Sequence, residues 1–139
     1  ADLIQVAKLV PRGIVCLISA LSFHGLTSQI PRKVYLAIPQ AMKKPRLTYP
    51  PIDVVWLSSQ VYSAGIESHE LDAVSVRIYN REKTVADCFK FRNKIGLDVA
   101  IEALKEYLRL ADRSIDDLLR YAAVDRVQKV MRPYLAALV

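Results

Sequence analysis

Glycine is scarce in this chain, with four residues in 139. Proteins that cradle phosphates on backbone loops use glycine freely, because only glycine takes positive φ and lets a backbone approach a ligand closely. No P-loop, dinucleotide fingerprint, G-x-S-x-G or H-E-x-x-H motif is present. Cysteine is scarcer still: Cys16 and Cys88, each inside an apolar run and nowhere in zinc spacing. That excludes a disulfide framework and fits buried thiols in a reduced, cytoplasmic protein. Long apolar runs are also missing. The best candidate, Ile14 to Leu26, is interrupted by Ser19, Ser22 and His24 and follows Pro11-Arg12-Gly13. It falls short of the roughly 18 apolar residues a membrane span needs, and it reads as a buried helix rather than a signal peptide or a span. No membrane partner is expected.

What is present is ordinary globular material: 53% hydrophobic and 24% charged residues, in a length that suits one domain. The net charge of +6 permits contact with nucleic acid or an acidic partner without requiring it. The chain begins with Ala, so a piece of something longer is expected.

Periodicity divides the chain into three parts. Leu3, Ile4, Val6, Ala7 and Val10 repeat at helical spacing behind Asp2, a plausible cap, and Pro11 and Gly13 end the pattern. The run from Ile14 to Leu26 then predicts a second helix, apolar all round and closed by Gly25. Lys33–Ile38 reads as a strand between Pro31 and Pro39, and Ile52–Ser58 as another. Between them lies a basic, proline-rich loop. Ser68–Leu71 and Val74–Tyr79 flank Asp72-Ala73 as a hairpin, the second half alternating apolar with polar. From Lys83 onward the period is helical: Val85, Cys88 and Phe89 form a stripe, and Leu97–Ala111 follows. A helix opened by Ser114 and Asp117 runs through Ala123, and a last helix contains Pro133. Helices within 1–26, strands within 33–79 and helices within 83–138 make an α+β domain. Its small mixed or antiparallel sheet has about four strands, flanked by N-terminal and C-terminal helices.

The stretch "EKTVADCFKFRNKIG" (Glu82–Gly96) concentrates the polar chemistry. On a helix, Lys83 and Asp87, and Asp87 and Lys90, share a face. One reading is a Lys–Asp acid/base site of a small nucleotide- or nucleic-acid-processing enzyme using Lys83, Asp87 and Lys90. The preferred reading is a salt-bridged surface beside the apolar stripe, since no histidine or second carboxylate is nearby in sequence to complete a proton relay. His24, in a last helical turn, is expected to cap free carbonyls. Glu67 and His69 share a strand face, but two ligands do not make a metal site. No cofactor is expected. The remaining cations form two clusters. Arg32, Lys33, Lys43, Lys44 and Arg46, with Tyr49, surround one strand and its loop. Arg126, Lys129 and Arg132 recur every third residue along the last helix, and Arg92 and Lys94 add to these. They are either a solvated surface or a contact surface for an anionic partner.

Three segments, "CLISALSFHGLTSQIP", "VRIYNREKTVADCFKFRNKIGLDVAIEAL" and "VMRPYLAAL", resemble the AbiEi family of antitoxins from bacterial type IV toxin–antitoxin systems. The resemblance spans about Asp2 to Leu138, and the middle segment is its most specific part. It implies a C-terminal antitoxin domain that assists transcriptional repression. It further implies an N-terminal winged-helix domain that reads the operon's own promoter, for which no pattern precedes "ADLIQVAKLVPRG". The implied counterpart is a nucleotidyltransferase-like toxin, opposed without a stable complex. On this resemblance the chain is not an enzyme. Lys83, Asp87 and Arg92 become a structural signature, with Asp87 the anchor and Lys83 and Arg92 its candidate partners. The candidate anionic-contact surface is then Lys43, Lys44 and Arg46 on the loop, and Arg126, Lys129 and Arg132 on the helix.

Overall fold

The computed structural model describes all residues, Ala1–Val139. The elements run α1 (Asp2–Leu9), β1 (Ile14–Val15), α2 (Leu17–His24), β2 (Val34–Pro39), β3 (Ile52–Leu57), α3 (Ser59–Ser63), β4 (Ile66–Leu71), β5 (Val74–Tyr79), α4 (Arg81–Lys90), α5 (Arg92–Ile95), α6 (Leu97–Leu108), α7 (Ile115–Val124) and α8 (Gln128–Leu138). The fold is α+β, as the periodicity predicts. Its sheet is mixed and has five strands in the order β3-β2-β1-β5-β4. No helix is long and apolar enough to cross a membrane.

The additional strand is β1, which lies at the centre of the sheet. Ile14 and Val15 pair antiparallel with Ala37 and Leu36, and Val15 pairs parallel with Ile78. Gly13 makes this possible: a Cβ there would lie 2.6 Å from Leu36 Cδ2, so only glycine lets the chain enter against β2. The helix expected from Ile14 therefore begins at Leu17. It ends as expected on Gly25, which has φ 73° and closes the last turn in the left-handed region. Asp2 lies in the first turn of α1 and is not its cap.

Strands β2 and β3 are parallel, while β4 and β5 form the expected antiparallel hairpin. The hairpin turns on Asp72 and Ala73, both at positive φ (48° and 63°). Two left-handed residues in a two-residue loop match the right-handed twist of the strands they join. Helix α1 packs against β2 and β5, where Val6, Val10, Val34, Leu36, Val76 and Ile78 form a small core. The larger core lies on the opposite face. There α4 is surrounded by α2, α6 and α7, and Val85, Ala86, Cys88 and Phe89 are buried with Ile14, Leu21, Val55, Leu57 and Leu104.

Because α4 is enclosed, every residue from Glu82 to Phe89 is buried. The expected amphipathic stripe is instead a helix covered all round. Asn80 starts it one turn earlier than the apolar pattern indicates, its side chain accepting from Lys83 N at 2.7 Å.

Both thiols are free and buried, and burial, with Asp87 adding to it, pushes them well above the ordinary cysteine range. Native protein should react slowly with a thiol reagent and denatured protein quickly. Labelling of both cysteines at the denatured rate would contradict this packing.

Candidate functional site

The junction between β5 and α4 holds a buried ionic network. Lys83 is fully buried, and its Nζ lies 3.0 Å from Asp87 Oδ2 and 3.8 Å from the centroid of the Tyr79 ring. A desolvated ammonium against an aromatic face and a carboxylate has its charge balanced. Gly65 makes room for the stem: at φ +81° it approaches so closely that a Cβ would sit 2.7 Å from Lys83 Cβ.

Asp125, at the end of α7, completes the network. It is 1% exposed and lies close enough to Asp87 for the two carboxylate charges to oppose each other. With both carboxyls ionised, Asp87 Oδ1 and both Asp125 oxygens would be buried without a donor. One proton resolves this. Burial, then the neighbouring Asp87 charge, pushes Asp125 well above the ordinary carboxylate range, which favours one proton held between the two carboxyls. Lys83, Asp87 and Asp125 together are then uncharged.

The rest of the junction is similarly pinned. Glu82 accepts from the Tyr107 hydroxyl, which in turn accepts from Ser114 N at 2.7 Å. Burial and Glu82 push the Tyr107 phenol up to about 12. Arg81 bridges Asp112 at 3.0 Å. His24 donates from Nε2 to the Tyr79 carbonyl at 2.8 Å rather than capping its own helix. Burial lowers its pKa, against an opposing effect from that carbonyl.

Several sequence expectations change here. Lys83 and Asp87 do pair, but in the core and not on a basic surface. Arg92, the other candidate partner of Asp87, donates instead to the Phe89 carbonyl at 2.8 Å. Lys90 is exposed and forms no ion pair with Asp87. Lys83, Asp87 and Lys90 therefore do not meet at one accessible surface. Glu67 and His69 pair with each other at 3.0 Å, and no group of three or more His, Cys, Asp or Glu is placed to hold a metal ion.

The surface cations sort themselves by partner. Lys33 and Lys94 share Asp53, at 3.0 and 2.8 Å. Lys43, Lys44 and Arg46 are exposed on the loop after β2, and Lys129 and Arg132 are exposed one turn apart on α8. Arg126 is not on that helix. It occupies the turn between α7 and α8 at φ 59°, so the expected row of three is a row of two.

Arg126 instead lines a cleft of about 460 Å³ with Lys90, Gln40, Trp56, Ser58 and Gln60. The cleft opens where β2 and β3 end, bounded by the last residues of α4 and α7. Crevices outside the carboxyl ends of parallel strands are common ligand sites in open sheets. No sequence pattern pointed to it, because its residues come from four separate segments. Asp125 was equally hidden, as a single carboxylate in a stretch read as helix.

No family model matches this chain, and no curated protein matches it.

Proposed function

We propose that this chain is an AbiEi-type antitoxin domain, a non-enzymatic module that opposes a nucleotidyltransferase-like toxin and assists repression of its own operon. Promoter DNA would be read by a winged-helix domain N-terminal to it. The observation that supports this reading is the burial of the most characteristic stretch. Lys83 and Asp87 are 0% and 1% exposed, so neither can reach a substrate, and their polar groups serve the β5–α4 junction. Among the accessible groups are cations without an acidic partner: Lys43, Lys44 and Arg46 on a loop, Lys129 and Arg132 on α8, and Lys90 and Arg126 in the cleft. Such charges attract an anionic partner.

The two outer clusters differ in rigidity. A helix holds its side chains in register, and a fixed pair loses less freedom on contact than a pair on an irregular loop. Lys129→Glu/Arg132→Glu should therefore impair neutralisation of the cognate toxin more than Lys43→Glu/Lys44→Glu/Arg46→Glu. The measurement is growth rescue by the full-length antitoxin, with the fold of each variant checked by circular dichroism. Full rescue by the folded helix variant, with failure of the loop variant, would make the loop the working surface. Full rescue by both would remove the cationic surface from the account.

A further inference from the structure

We propose that the cleft at the ends of β2 and β3 binds a phosphate group, free or at the end of a nucleotide-sized ligand, held by Lys90 and Arg126. Binding there does not depend on the antitoxin reading.

The first support is the backbone at Arg126. Helix α7 ends with Val127 N donating to the Ala122 carbonyl at 2.9 Å and Arg126 N to the Ala123 carbonyl at 3.1 Å. Helix α2 ends in the same way: Leu26 N donates to Leu21 O at 2.9 Å and Gly25 N to Ser22 O at 3.2 Å. In this motif the residue after the cap must take left-handed φ, and glycine does so without strain. At α2 that residue is Gly25, with φ 73°; at α7 it is Arg126, with φ 59°. The chain uses glycine in one place and a bulky, strained cation in the other. Leu17, Asp72 and Ala73 also take positive φ, and Arg126 is the one of the four that lines this cleft.

The second support is charge. Lys90 and Arg126 come from elements far apart in sequence and line one concavity, yet neither has an acidic partner. Elsewhere the fold brings Lys33 and Lys94 together only around Asp53. Two like charges lining one cleft without a counter-charge favour an anion there. The buried carboxyls nearby oppose it little: Asp87 is paired with Lys83, and burial drives Asp125 toward its neutral form. Ser58, Gln40 and Gln60 add hydrogen-bonding groups, and the volume of about 460 Å³ suits a nucleotide-sized molecule.

Trp56, which also lines the cleft, is the only tryptophan in the chain, and its indole is fixed by donating to the Met42 carbonyl at 2.8 Å. Its emission therefore reports occupancy, and calorimetry gives an independent reading. The probes are AMP, inorganic phosphate and adenosine. AMP and phosphate should bind and adenosine should not. Lys90→Gln and Arg126→Gly should each weaken binding by about tenfold, the loss of one charge-assisted contact. Arg126→Gly should also keep or raise Tm, because glycine relieves the left-handed strain. AMP binding more tightly than phosphate would identify a nucleotide as the source of the anion, and equal binding would identify free phosphate. The proposal fails if neither binds up to roughly 10 mM, ten times the Kd of a site worth about 4 kcal/mol. It also fails if adenosine binds as well as AMP, or if folded Arg126→Gly binds phosphate unchanged.

Discussion

Asp87→Ala should destabilise the protein by about 3–5 kcal/mol, the usual penalty for removing one partner of a buried ion pair. The surface pair expected from helical spacing would be worth about 1 kcal/mol or less. The difference lies in what is left behind. Lys83 Nζ is fully buried, and without the carboxylate 3.0 Å away it loses its one ion pair and is left between the Tyr79 ring and Asp125, which burial drives toward its neutral form. An ammonium cannot stay charged there cheaply, nor reach water without opening α4. Total stabilities of such domains are about 5–15 kcal/mol, so much of the margin would be gone. Thermal or urea melting measures it, and a midpoint equal to wild type would show that Lys83 has another way to satisfy its charge.

The second large effect is a pH dependence set by Asp125. Its carboxyl rises from the ordinary 3.8 to about 10 in the folded protein, first through burial and then through the charge of Asp87. A raised folded-state pKa gives stability that is fully present below the unfolded value. That stability is lost as pH climbs from about 4 to about 10, because the unfolded chain releases the proton first. Asp125→Asn keeps the shape and the donor toward Asp87 but cannot ionise. The variant should melt close to wild type near pH 4 and above it near pH 9. The gain there should be at least the ~1.4 kcal/mol that one pKa unit represents. Lys83 and Lys90 act against the shift, and Asp87 with it. Parallel melting curves for the two proteins across that range would mean that Asp125 is ionised in the fold.

How much of this was legible in the sequence depended on whether a feature was local. The β4–β5 hairpin was, because Val74, Val76 and Ile78 alternate with polar residues and Asp72-Ala73 interrupts them. The start of α7 was, because Ser114 accepts from Asp117 N at 3.1 Å, an interaction encoded three residues apart. Strand β1 was not: two residues carry no period, and its place at the sheet centre depends on Gly13 meeting Leu36. Helix α4 misled more. Its polar residues predict a half-exposed helix, yet they are enclosed by Tyr79 just before it and by Tyr107 and Asp125 from further along the chain. Arg126 looked helical because it lies three residues before Lys129. Nothing in an arginine announces positive φ, and the reversal between α7 and α8 shows only in three dimensions.

Lys83, Asp87 and Asp125 are packed together out of reach of solvent, a network whose members are costly to remove singly but replaceable together. Buried ionic triads can be replaced by apolar residues of similar volume with neutral or favourable effect. The direct test is the triple variant Lys83→Met/Asp87→Leu/Asp125→Leu, followed by melting and, under the proposed function, by growth rescue against a cognate toxin. A variant that melts at or above the wild-type temperature and still rescues growth is the predicted result. A variant that folds with wild-type stability but no longer neutralises the toxin would contradict it and place these side chains in the function itself.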